Sequence, residues 1–162
     1  MVQTEKLIIM TKEEYISLSI NYNVLAYVSK GIIESSPTGI VKLLSFTTIN
    51  KGIIGYQLHP SKGIDVCGCS HVCKTKLILR PLEDLLKDQD KEDSFFWRFE
   101  EFACNTRDAA SMYDHSGLND INWLQEPFEI VMWLIKEHVD ILGLIKNKEA
   151  IDVNTLDHNP YI

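Results

Sequence analysis

The sequence predicts a single α+β domain in which an antiparallel sheet packs against two or three helices. Strand-like segments rich in β-branched and large apolar residues fill the first half of the chain, and helical apolar patterns follow from residue 94. With 162 residues and 45% hydrophobic content, the chain can form one core but not two comfortable ones. We expect the sheet over roughly residues 32–80, packed against helices near residues 94–105 and 127–142.

Residues 12–30 carry two conflicting patterns. Thr11 and Glu14 have the spacing of a capping box, which predicts a helix that begins near Lys12. From residue 16 to residue 24, however, apolar and polar residues alternate with the period of a half-buried strand. Both helix and strand remain open for this segment, and the cap favours a helix that Gly31 could end.

A β-hairpin is predicted next. Residues 40–49 are rich in strand-forming side chains, and Asn50-Lys51-Gly52 reads as a short connection into residues 53–59. Residues 64–79 supply one or two further strands. Near the end of the chain, residues 150–153 are compatible with a short strand or a docked tail.

The helix expected at residues 127–142 has the clearest apolar pattern in the chain. Its apolar face comprises Phe128, Val131, Met132, Ile135, Val139 and Leu142. Pro127 suits the first helical turn, and Gly143 can adopt the left-handed conformation that ends a helix. This helix should be the central packing element of the domain.

Two residues of this helix depart from its pattern. His138 falls in the apolar sector, where it is either a neutral core histidine bonded to a backbone carbonyl or a ligand or acid/base group. Trp133 falls in the polar sector and is either covered by another part of the chain or an exposed anchor for a partner. In the preceding helix, Phe95, Phe99 and Phe102 share one face, which indicates core packing.

The segment Cys67-Gly68-Cys69-Ser70-His71-Val72-Cys73 is the candidate metal site. Its three thiols and one imidazole are soft ligands that suit zinc or copper, so the alternative function is a small zinc-binding module or zinc-dependent hydrolase. On a strand, however, the donors on one face would lie ~6.6 Å apart, so only neighbours could share a metal. Cys69 or Cys73 beside His71 also has the groups for nucleophilic catalysis but no orienting residue that the sequence can place.

Acidic residues in the loop before the central helix form a second candidate cluster. Together with one histidine, they could bind a hard cation or act in acid/base chemistry. The residues are Asp108, Asp114, His115 and Asp120. Loops are also rich in Asp because its side chain stabilises turns. No glycine-rich phosphate loop of recognised spacing occurs, and we expect no cofactor.

Charge is distributed unevenly along the chain. Residues 1–80 hold nine Lys or Arg against five Asp or Glu, whereas residues 81–162 hold seven against eighteen, giving +4 and −11. The acidic half disfavours phosphate-backbone binding and permits docking on a basic protein surface. A nucleic-acid alternative rests on cations of the first half: Lys42, Lys51, Lys62, Lys74, Lys76 and Arg80.

The first fifteen residues contain only a four-residue apolar run, Leu7 to Met10, followed by Glu13 and Glu14. A secretory signal or spanning helix needs a longer run. Together with the clustered cysteines, this predicts a soluble protein with reduced thiols in a cytoplasm.

Two passages resemble a group of small uncharacterised accessory proteins encoded by phages and mobile elements of gut anaerobes. The first is Lys76 to Leu85, KLILRPLEDL, and the second runs from Trp133-Leu134 through His138 to Ile145 and on to Ala150 to Leu156. The resemblance covers about a third of the chain and carries no known activity. It implies a phage-type accessory protein in the cytoplasm of a bacterial host. We therefore expect a non-enzymatic module that binds a host or phage protein, with Trp133 as the candidate partner-binding residue.

Overall fold

The computed structural model describes residues 10–49, 52–59, 66–106 and 121–162. In chain order, the α-helices and strands of these residues are α1 (Lys12–Ser19), β1 (Leu25–Val28), β2 (Gly39–Thr47), β3 (Ile53–Leu58), β4 (Cys67–His71), β5 (Thr75–Leu79), α2 (Phe95–Thr106), α3 (Phe128–Lys136) and β6 (Ala150–Asp152). The strands form one sheet in the order β4-β3-β2-β1-β5-β6, antiparallel except for the parallel pair β5 and β6. The α+β prediction is confirmed.

One face of the sheet, here called the covered face, packs against the helices. Its strand residues are buried: Ala26, Val28, Val41, Leu43, Ile54, Tyr56, Leu77 and Leu79. Buried residues of α1 and α3 belong to the same cluster, including Ile16, Leu134 and Ile135. The main hydrophobic core therefore lies between this face and the helices.

The opposite face, here called the open face, is covered only in part. Leu25, Ile78 and Val153 form a small buried cluster there, with Tyr161 and other residues packed against it. The remaining strand positions of this face are partly or fully exposed and include Tyr27, Lys42, Gln57 and Lys76. A sheet with one solvated face follows from the alternation of side chains along antiparallel strands.

Residues 12–30 form a helix and then a strand. The capping box is present, since the Thr11 Oγ1 accepts from the Glu14 N–H at 3.2 Å and the Glu14 carboxylate accepts from the Thr11 N–H at 2.8 Å. After α1 and a short 3₁₀ turn, Asn23 adopts φ 60°, which redirects the chain into β1. The prediction of a helix that continues to Gly31 is therefore wrong beyond Ser19, because residues 25–28 form β1 in the middle of the sheet.

The predicted hairpin is confirmed as the antiparallel pair β2 and β3, although Asn50 and Lys51 lie outside the described residues. Residues 64–79 provide two strands, β4 and β5, joined by a 3₁₀ turn at Val72–Lys74. The sheet is wider than residues 32–80, because β1 and β6 also join it. The helix expected at residues 94–105 is α2.

The central helix is shorter than predicted, since α3 ends at Lys136 and not at residue 142. His138 has φ 62°, and the chain then runs beside the end of β5. The Arg80 N–H donates to the His138 carbonyl at 2.8 Å, and the Asp140 N–H donates to the Arg80 carbonyl at 2.9 Å. These sheet-type bonds replace helical ones, so the apolar residues at 139 and 141 reach the core without a helix.

Candidate functional site

The cysteine segment forms the edge strand β4 and the turn after it. The β4–β3 register places Cys67, Cys69 and His71 opposite Gln57, Gly55 and Ile53, on the open face. Ser70 points the other way, is buried, and donates its hydroxyl to the Lys30 carbonyl. The strand therefore spreads the three open-face donors along its length, and Cys73 lies beyond it in the 3₁₀ turn.

All four cysteines are free thiols, and three of them are exposed. Within the described residues, which include Cys67, Cys69, His71 and Cys73, no group of three or more His, Cys, Asp or Glu side chains could hold a metal ion. The strand geometry explains this, because donors on one face lie ~6.6 Å apart, so two neighbours but not three could share one metal. The four candidate ligands are thus neighbours in sequence without converging in space. The cluster expected from Asp108, Asp114, His115 and Asp120 lies outside the described residues.

Trp133 is partly buried in an aromatic cluster between α2 and α3. Its ring centroid lies 5.4 Å from those of Phe95 and Phe99 and 5.8 Å from that of Phe102, with near-parallel stacking on Phe95 and Phe102. The phenylalanine face predicted for α2 is thus the surface that covers this indole. Trp133 is not exposed as an anchor would be, and its role in partner binding stays a prediction.

His138 is a buried residue, as predicted for a core histidine. Burial, and then the nearby charge of Arg80, lower the pKa of its imidazole to about 4, so the ring is neutral at neutral pH. It stacks on Tyr161 with a centroid distance of 4.4 Å. Its Nδ1 has no hydrogen-bond partner among the described residues, so the predicted bond to a backbone carbonyl is not made by this atom.

Asp140 organises the turn that follows His138. Its carboxylate oxygens accept from the N–H groups of Leu144 and Ile145, both at 2.8 Å. Burial raises the pKa of Asp140, while these backbone hydrogen bonds act in the opposite direction. These hydrogen bonds give the Asp140 carboxylate a structural role, since they hold the turn at residues 140–145 together.

A different surface presents an aromatic side chain among carboxylates. Trp97 on α2 is 49% exposed, and its Nε1–H donates to the Gln89 carbonyl at 2.8 Å. Gln89 belongs to residues 82–93, here called the acidic segment, which carry six Asp or Glu and two Lys. The indole thus fastens the acidic segment to α2, and the two elements form one surface.

The two lysines of the acidic segment neutralise only part of it. Lys87 pairs with Asp84, and Lys91 pairs with Asp88 at 2.5 Å. Four other carboxylates are exposed to solvent: Glu83, Asp90, Glu92 and Asp93. The acidic segment therefore keeps a net charge of −4 beside a half-exposed indole.

Trp97 is more exposed than Trp133, and the sequence prediction did not consider it as a surface residue. Trp97 lies two residues after Phe95, or about 200° around a helix, on the side away from the phenylalanine face that covers Trp133. That offset was the available signal. Phe128 was likewise placed on the apolar face of the central helix but is 71% exposed at the start of α3.

Among the described cations of the first half, Lys42, Lys76 and Arg80 do not form one patch, and Lys74 lies in the 3₁₀ turn before β5. Lys42 and Lys76 lie on the open face, separated by β1, whereas Arg80 lies over the Phe95 ring at 5.2 Å. Lys51 and Lys62 lie outside the described residues. The arrangement offers little support for a nucleic-acid interface.

Comparison with models of protein families, with curated proteins and with solved structures found no match. Within the described part of the chain, no helix has both the length and the apolar character needed to cross a bilayer.

Proposed function

We propose that this chain is a non-enzymatic module that binds a host or phage protein in the cytoplasm of a bacterium. The observation that carries the proposal is Trp97, which is half exposed and fastened to the acidic segment by its indole N–H. An aromatic ring held in place by its own polar atom is the type of residue that dominates binding energies at protein interfaces.

Charge indicates the chemistry of the partner. The acidic segment has a net charge of −4, and the second half of the chain has a net charge of −11. Such a surface attracts a basic protein surface and repels nucleic acid. We therefore infer a partner that places Arg or Lys side chains around an apolar pocket for the indole.

The phage-type setting and the cytoplasmic location rest on the resemblance of residues 76–85 and 133–156 to accessory proteins of phages and mobile elements. The zinc-dependent alternative has weaker support, because residues 67–73 hold their four soft donors along a strand and the turn after it. The interaction reading requires no convergence of catalytic groups.

Site-specific photo-crosslinking tests the proposal. Trp97 is replaced by benzoylphenylalanine in the tagged full chain, which is produced in bacterial cells with and without phage infection. Tyr27 is replaced in the same way as a matched control, because it is a similarly exposed aromatic residue on the open face. After irradiation, crosslinked species are separated and identified by mass spectrometry.

The proposal predicts one dominant crosslinked protein with a basic surface from position 97 and none of that identity from position 27. Equal crosslinking from both positions, or only scattered products from position 97, would overturn it. Titration of salt during capture provides a second readout, since an interface of opposite charges weakens as ionic strength rises.

A further inference from the structure

A groove of about 480 Å³ lies where the open face meets the C-terminal segment. Its floor is a row across three strands, because Leu25 of β1 is paired with Lys42 of β2, which is paired with Gln57 of β3. Pro160 and Tyr161 form a wall beside this row. The volume lies within the range of sites that take small molecules.

Hydrogen bonds hold the wall in place. The Tyr161 hydroxyl donates to the Ile78 carbonyl at 2.7 Å and accepts from the Leu25 N–H at 3.0 Å. At the neighbouring residue of the wall, the Pro160 carbonyl oxygen lies 3.2 Å from the His59 Nε2. Because its hydroxyl is occupied, Tyr161 offers the groove an aromatic ring, so the site is preformed and has an apolar side.

The charge of the groove favours an anion. Among the described residues that line it, Lys42 supplies an ammonium group, and none is Asp or Glu. The wider setting is similar, since β1 to β5 contain no Asp or Glu. Among the described residues no ion pair involves Lys42. Lys42 is therefore a partly buried lysine in the groove lining, and no carboxylate among the described lining residues neutralises its charge.

We propose that this groove binds a small organic monocarboxylate, with the carboxylate on the Lys42 Nζ and an apolar body against Leu25, Pro160 and the Tyr161 ring. One ammonium group balances one negative charge. A phosphate monoester carries nearly two charges and is usually met by Arg or by several backbone N–H groups. The groove lies on a face that does not contain Trp97, so the test of this proposal does not depend on the partner-binding proposal.

Chemical-shift titration of the ¹⁵N-labelled full chain tests this site with phenylacetate as the probe. Phenylacetamide has nearly the same shape without the charge, and benzyl phosphate carries the doubly charged alternative. Lys42→Met removes the ammonium group while keeping an aliphatic side chain. Lys76→Met is the matched control, because Lys76 is an exposed lysine on the same face outside the groove.

We expect phenylacetate to cause saturable chemical-shift changes at the amides of Leu25, Gln57 and Tyr161. Its affinity should be at least about tenfold weaker for Lys42→Met and unchanged for Lys76→Met. Phenylacetamide should bind at least about tenfold more weakly than phenylacetate. No saturable shift up to about 10 mM, equal binding by Lys42→Met, or tighter binding of benzyl phosphate would each overturn the proposal. The amide spectra of the variants also report whether each remains folded.

Discussion

The two faces of the sheet use alternate residues of the same strands for different purposes. On β5, Leu77 is fully buried against the helices, whereas its neighbour Lys76 is exposed on the open face. On β1, Ala26 and Val28 enter the core while Tyr27 between them is 42% exposed. The covered face therefore supplies most of the buried apolar contacts of the domain, while the open face carries lysines, thiols and a groove.

The largest expected difference between the faces is at neighbouring positions of β5. Leu77→Ala should lower the free energy of unfolding by about 4 kcal/mol, because it removes a fully buried side chain and leaves a cavity. Lys76→Ala should change it by less than about 0.5 kcal/mol. Urea unfolding of both variants checks the contrast, and similar losses at both positions would break the distinction between the faces.

The aromatic cluster on the covered side gives the next effect. Trp133→Ala should lower the free energy of unfolding by about 3 kcal/mol, since three phenylalanine rings lose their shared partner. Trp97→Ala, at the exposed position of α2, should cost less than about 1 kcal/mol. Thermal or urea unfolding measures both. A stable Trp133→Ala variant that loses partner capture would return Trp133 to the interface.

Acid should destabilise the domain through His138. Its folded-state pKa of about 4 lies below the ordinary value of 6.5, so the unfolded chain binds the proton more readily as pH falls. The contribution of His138 to the free energy of unfolding is present above pH 6.5, and about 2 kcal/mol of that contribution is lost between pH 6.5 and 4.5. Asn tolerates a positive φ, so His138→Asn should fold and lack this dependence.

The measurement is urea unfolding of both proteins across that pH range. The raised pKa of Asp140 works in the opposite direction, because its contribution to stability falls as pH rises through the titration. Subtracting the His138→Asn profile from that of the native chain removes the shared contribution of Asp140. Parallel profiles would show that His138 titrates normally in the folded state.

The smallest predicted effect is at the first helix. Thr11→Ala removes the side-chain acceptor of the capping box and should lower the free energy of unfolding by about 1 kcal/mol. Thr11→Ser keeps the hydroxyl and is the matched control. If both variants lose the same free energy in urea, the hydroxyl is not the stabilising group.

Local signals predicted much of the fold. The spacing of Thr11 and Glu14 encodes hydrogen bonds between near neighbours, and the strand-forming residues on both sides of Asn50-Lys51-Gly52 encode a hairpin. The end of α3 could not be predicted in the same way. Residues 137–142 continue the helical apolar pattern, but backbone bonds to Arg80, distant in sequence, hold this stretch beside β5.

The candidate sites show the same division. The sequence predicts one or two strands at residues 64–79, which β4 and β5 confirm, but it does not show whether the donors at residues 67–73 converge. The offset of Trp97 from Phe95 on α2 indicates its exposure, whereas the cover over Trp133 depends on how α2 meets α3, which neither helix encodes alone. The groove at Lys42 could not be foreseen, because Tyr161 reaches it from the far end of the chain.

The role of Trp97 in partner binding is tested by measuring how three purified proteins bind the crosslinked partner. The native chain, Trp97→Ser and Tyr27→Ser are titrated with that partner over a series of salt concentrations. We expect that Trp97→Ser weakens affinity by about 30-fold, that Tyr27→Ser binds as the native chain does, and that affinity falls with salt. Equal affinity of the native chain and Trp97→Ser, or a loss confined to Tyr27→Ser, would contradict it and place the interface away from the acidic segment.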